Sequence, residues 1–88
     1  MGWRIEYLQS ARKDVQKLDS PTRHRLRNYL EQRVAKLDDP RQLGKALQGR
    51  HAGLWRYRVG DYRLVCQLRD EALVVLVVRV GHRREVYR

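Results

Sequence analysis

Hydrophobic and polar residues alternate one by one near the start of the chain and again over its second half, and recur every three or four residues in between. Trp3, Ile5 and Tyr7 alternate with Arg4 and Glu6, the period of a half-buried strand. Ala11, Val15 and Leu18 then fall on one face of a short helix that Ser10 can cap. Asp19-Ser20-Pro21 closes this helix and opens the next, with Ser20 suited to the N-cap and Pro21 to the first helical position. Leu26, Leu30, Val34 and Leu37 run at near-helical spacing along a second, longer helix. Asp38-Asp39-Pro40 stops it, because the residue before a proline avoids the helical region. Arg41 to Gly53, which holds Gly44, Gly49 and Gly53, reads as a connecting loop.

A hairpin follows. Trp55, Tyr57 and Val59 alternate with Arg56 and Arg58; Gly60-Asp61 interrupts the run; Tyr62, Leu64, Cys66 and Leu68 then alternate with Arg63 and Gln67. One face is aromatic and aliphatic, and the other carries Arg56, Arg58 and Arg63. Periodicity leaves two meanings open for that second face: a solvated exterior, or a phosphate-binding surface, since guanidinium forks match phosphate oxygens bidentately. Arg69-Asp70-Glu71 makes a second turn, and Ala72 to Val80 is apolar on both parities, as in a strand covered on both faces. Its expected neighbours are the hairpin and the N-terminal strand, and Gly81 to Arg88 is expected to leave the sheet. The prediction is an α+β domain spanning residues 1–88. Two helices pack on one face of a small, mainly antiparallel four-stranded sheet in the order β-α-α-β-β-β.

Composition changes this picture in one respect. The 88 residues are 42% hydrophobic and 34% charged, as in a globular domain, but 20 Lys and Arg against 10 Asp and Glu give a net charge of +10. That balance implies a polyanionic or acidic partner. Arg23, Arg25, Arg27 and Arg33 lie off the helical apolar stripe and read as a solvated face, with His24 beside them. The single cysteine, Cys66, falls on the apolar parity and reads as a small core residue. No Cys/His spacing suggests zinc. No apolar run is long enough for a signal peptide or a membrane span, so a cytoplasmic protein without membrane contact is expected.

The stretch Leu54-Trp-Arg-Tyr-Arg-Val-Gly-Asp-Tyr-Arg-Leu-Val-Cys-Gln67, with Val80-Gly81-His82-Arg83 and Glu85-Val86-Tyr87, resembles the RelE/ParE toxin superfamily, the toxin halves of bacterial type II toxin–antitoxin pairs. Within it the chain resembles the RelE branch, which keeps a C-terminal tyrosine that the gyrase-poisoning ParE branch generally lacks. The resemblance implies a RelE-like fold and an endoribonuclease that cuts messenger RNA on the ribosome without metal or organic cofactor. It also implies an acidic antitoxin as partner. The family's two catalytic lysines fall on Arg56 and Arg58, its arginine after the turn on Arg63, its arginine near the last strand on Arg83 and its tyrosine on Tyr87. Arg84 is the alternative to Arg83, because the spacing to Tyr87 is short. Lys45, His82 and Arg84 are expected to bind RNA. Two readings stand beside this one: a ParE-like toxin that binds gyrase and is no nuclease, and a basic RNA-binding module without toxicity.

The chemistry of these residue types fits RNA cleavage by attack of a 2′-hydroxyl on the adjacent phosphate. Arginine stays protonated and is a poor base, but several arginines stabilise the charge of a phosphorane. Tyr87, flanked by Arg84 and Arg88, and His82 are the tail residues able to move protons.

Overall fold

The computed structural model describes residues 2–82, so Arg83, Arg84 and Tyr87 lie outside the described residues. The elements run β1 (Arg4–Tyr7), α1 (Gln9–Gln16), α2 (Ser20–Tyr29), β2 (Lys45–Ala46), β3 (Trp55–Val59), β4 (Tyr62–Arg69) and β5 (Val74–His82). They build one five-stranded sheet in the order β1-β5-β4-β3-β2, in which only the β1–β5 pair is parallel. The expected four strands and two helices are present. The fifth strand is the two-residue β2, which lies inside the stretch read as loop. Two residues carry no readable period, and their place is set by pairing of Lys45 with Arg56 and Ala46 with Trp55.

The caps differ from expectation in an informative way. Asp19, not Ser20, is the N-cap of α2, and its carboxylate accepts from the Thr22 amide at 3.0 Å. Hydrogen bonding from the Thr22 side chain, and then from its amide, holds the Asp19 carboxyl below its ordinary value. Ser10 lies inside α1, and its hydroxyl donates to Val78 O at 2.6 Å on the last strand instead of capping the helix. After Tyr29 the second helix widens into a π turn over Leu30–Val34, closed by Ala35 N donating to Leu30 O at 2.8 Å. Ala35 O then accepts from Trp3 N at 2.8 Å, and the Trp3 indole donates to Asp38 O at 3.3 Å, so this turn anchors the start of β1.

The core lies between the helices and one sheet face. Ala11, Leu26, Leu30 and Val34 meet Tyr57, Val59, Leu64, Cys66, Val75, Val77 and Val80, all buried. Truncating a fully buried member such as Leu30 to Ala costs about 2–5 kcal/mol. Tyr57 carries its hydroxyl into this layer and donates to Pro40 O at 2.8 Å, and burial raises its pKa. Gly44 permits that approach, since a Cβ there would stand 3.0 Å from the Tyr57 ring. β5 is buried at both Val74 and Val75, as its two-sided apolar pattern requires. It also extends further than expected: Gly81 and His82 stay in the sheet, paired with Arg63 and Tyr62.

Candidate nucleic-acid interface

The register assembles the basic residues on the sheet face turned away from the helices. Lys45 pairs with Arg56, Arg56 with Val65, and Val65 with Arg79, making one row across four strands. The adjoining row on the same face is Arg58, Arg63 and Gly81. Paired residues share a sheet face, so Lys45, Arg56, Arg58 and Arg63 stand together there. Arg79 joins their row. The sequence reading passed over it, although a lone arginine in an otherwise apolar strand was the available signal.

These cations are held differently. Lys45 and Arg58 are exposed, and neither forms an ion pair among the described residues. Arg56 is half-buried, and its Nε is buried with no hydrogen-bond partner among the described residues. A buried guanidinium N–H left in that state is costly, and such groups are normally satisfied. Arg63 is only 6% exposed, and its Nη1 donates to Gly60 O and Tyr62 O, both at 3.0 Å. The alternation puts Arg63 on the outer hairpin face, read as a solvated exterior or a phosphate-binding surface. The structure corrects the first of these: its guanidinium braces the tight turn between β3 and β4, where Gly60 has φ +59°. Alternation identifies the face of a residue but not whether carbonyls of a nearby turn enclose it. Arg25 of α2, read as solvated, lies against the same turn, with Nη1 3.1 Å from where a Gly60 Cβ would stand.

Arg58 lies directly across from Arg63, and like charges at such positions oppose strand pairing. The cost is compensated when an anion binds between them. Arg79 is different: its Nε donates to Asp14 Oδ2 at 2.8 Å, which neutralises it locally.

His82 is not brought to this face. It pairs with Tyr62 on the helix-side parity, and the two rings meet edge to face with centroids 6.1 Å apart. Asp14, Lys17, Tyr62, Arg79 and His82 line a polar cleft of about 280 Å³ there. Cys66 is fully buried, and desolvation pushes its thiol well above the ordinary range, as suits a core residue and not a nucleophile. Among the described residues no cluster of three His, Cys, Asp or Glu is arranged to hold a metal ion. No helix among them is long and apolar enough to cross a membrane. The face thus supplies fixed positive charge from rigid strands, suited to phosphate oxygens, while proton transfer must come from other groups.

The chain is similar to known proteins over nearly its whole length. The chain is 35% identical over 89 residues to Toxin RelG of Mycobacterium tuberculosis, covering 100% of this chain and 99% of that protein. It is 36% identical over 90 residues to the mRNA interferase toxin RelE of Escherichia coli, covering 99% and 92%. Among solved structures, the toxin–antitoxin complex RelBE2 of M. tuberculosis superposes with a TM-score of 0.86 at 27% identity, covering 97% of this chain and 95% of that one. The intact E. coli RelBE toxin–antitoxin complex gives 0.72 at 30% identity, covering 91% and 95%. A family model described as the ParE toxin of type II toxin–antitoxin systems matches residues 5–87, and the chain belongs to the RelE/ParE family of type II toxins.

Proposed function

We propose that the protein is a ribosome-dependent messenger RNA endonuclease, neutralised by a cognate acidic antitoxin. The observation that carries this reading is the cationic face itself: Lys45, Arg56 and Arg58 have no carboxylate partner among the described residues, and Lys45 and Arg58 stand exposed. An RNA phosphate supplies what these groups lack. Similarity to a relative named an mRNA interferase supports the choice of RNA. In this reaction Arg56, Arg58 and Arg63 hold the scissile phosphate and stabilise the phosphorane, with Arg83, or Arg84 in its place, as a further cation. Arg63 does so from a rigid position. Tyr87, in its ionised form, takes the proton from the 2′-hydroxyl as that oxygen bonds to phosphorus; the P–O5′ bond breaks, leaving a 2′,3′-cyclic phosphate, and the 5′-oxygen departs with a proton from solvent. The step needs no metal ion, because arginines carry the charge that a metal would otherwise offset. Ribosomal positioning of the substrate contributes much of the remaining acceleration, up to roughly 7–11 kcal/mol.

The test is single-turnover cleavage of messenger RNA on programmed ribosomes, with and without a metal chelator that spares the ribosome's own magnesium. The parent cleaves at defined codon positions in both cases, and Tyr87→Phe is slowed about 10²–10⁴-fold. Full activity in Tyr87→Phe with loss in His82→Ala moves the proton transfer to His82. A parent that leaves the transcript whole but induces DNA-damage signalling and filamentation supports the gyrase-binding alternative, which the ParE description of the family model favours.

A further inference from the structure

β1 ends at Tyr7, paired with Val77, but β5 runs on to His82. From Val78 onward β5 has no strand on that side, and an open edge leaves N–H and C=O groups unpaired. The start of α1 takes the place of the missing strand. Leu8 N donates to Val77 O at 2.9 Å, and the Ser10 hydroxyl donates to Val78 O at 2.6 Å. Asp14 Oδ2 accepts from Val80 N at 2.9 Å and from Arg79 Nε at 2.8 Å.

This tie falls where the strand is least constrained from its other side. Val65 pairs with Arg79 but Cys66 with Val77, so the ladder shifts register and Val78 is the extra residue. A bulge weakens the ladder and lets a strand bend and twist. The residues that follow are Gly81, opposite Arg63, and His82, opposite Tyr62. The anchor is firm: the Asp14 side chain is 12% exposed, and α1 is seated by Ala11, which is fully buried.

The geometry points to Asp14 as a positioning residue for the nuclease site, whose carboxylate fixes the bulged end of β5 beside Arg58 and Arg63. This rests on the nuclease reading above. Asp14 touches no substrate; it acts through the strand. One anionic oxygen serves both a backbone amide and a guanidinium, and such charge-assisted bonds are the strong ones. Displacement of catalytic groups by about 1 Å costs on the order of 10² in rate.

Three proteins test this: parent, Asp14→Ala and Asp14→Asn. Each is measured for single-turnover cleavage at saturating ribosomes, for ribosome affinity, and for hydrogen exchange at the Val80 amide. Asp14→Ala should lose about 10² in rate at saturation, keep its ribosome affinity and exchange Val80 faster. Asp14→Asn keeps an oxygen for the Val80 amide but loses the charge, and should recover part of the rate. Asp14→Ala cleaving at the parent rate, a loss confined to affinity, or Asp14→Asn no better than Asp14→Ala overturns the proposal. Should Asp14→Ala not fold, Ser10→Ala removes the neighbouring tie, with a smaller loss expected and parent-like rate and exchange again overturning it. A parent that does not cleave defeats the nuclease reading instead. The amide then decides alone: faster Val80 exchange in Asp14→Ala upholds the positioning, and unchanged exchange overturns it.

Discussion

Arg41 and Arg58 are both arginines of one strongly basic chain, yet they lie in opposite surroundings. Arg41 has its fork filled by carboxylates. Its Nη1 and Nη2 reach the two Asp70 oxygens at 3.0 and 2.7 Å, Nη1 also reaches Asp39 at 3.2 Å, and the guanidinium stands 5.6 Å from the Trp55 ring centroid. This fork ties the segment before β2 to the turn before β5. The Asp70 hydrogen bond raises the Arg41 pKa further, and Arg41 in turn holds the Asp70 carboxyl below its ordinary value. Arg58 stands exposed on the sheet, opposite another arginine and without an ion-pair partner among the described residues. An arginine whose fork is filled by carboxylates is part of the scaffold. One left open beside a like charge keeps its donors available to an anion from outside. A net charge of +10 does not separate the two, but the partners do.

Arg63 strains this division most, because it belongs to both classes. On the proposed nuclease reading, Arg63→Ala removes a phosphate contact; it also takes from the turn the donor that meets Gly60 O and Tyr62 O. Cleavage should fall about 10²–10³-fold, or roughly 2–4 kcal/mol of transition-state stabilisation. Stability should fall as well, by about 1 kcal/mol, since two part-buried hydrogen bonds are lost. Urea unfolding followed by circular dichroism, beside the cleavage assay, measures both. Loss of activity with unchanged stability would mean that the turn does not need this guanidinium.

Arg41→Ala should do the reverse, lowering the Tm by no more than a few degrees, because exposed ion pairs contribute little. Its cleavage rate should stay at the parent value. A large loss of activity would show that the filled fork also serves the site.

The smallest expected effect is on the pH dependence. Asp70 has a folded pKa below its unfolded value of about 3.9. Its contribution is therefore present above that unfolded value and is lost as the pH falls through the lower folded one. The urea midpoint should drop between about pH 6 and about pH 3, and drop less in Asp70→Asn. Equal drops would mean that Arg41 gains nothing from the charge.

Much of this was legible in the sequence because long-period signals are strong. The alternation over Trp55–Val59 and Tyr62–Leu68 named the hairpin and its inward face, and the two-sided apolar run from Ala72 to Val80 placed β5 between β1 and the hairpin. What was missed depends on contacts between residues far apart in the chain. β2 is defined by its partner, Ser10 by an acceptor on β5, and Arg63 by carbonyls folded over it. Arg41 in a glycine-bearing loop gave no sign that Asp70, 29 residues away, would meet it.

The most direct test compares Arg58→Ala with Arg41→Ala in one single-turnover assay on programmed ribosomes, each beside the parent. Both variants remove one positive charge, so general electrostatic attraction to the ribosome is lowered equally. The open-face account predicts that Arg58→Ala cleaves about 10²–10³-fold more slowly than Arg41→Ala, while remaining as stable as the parent. Equal rates for the two would contradict it, since the chain would then use its charge without regard to where the arginines stand.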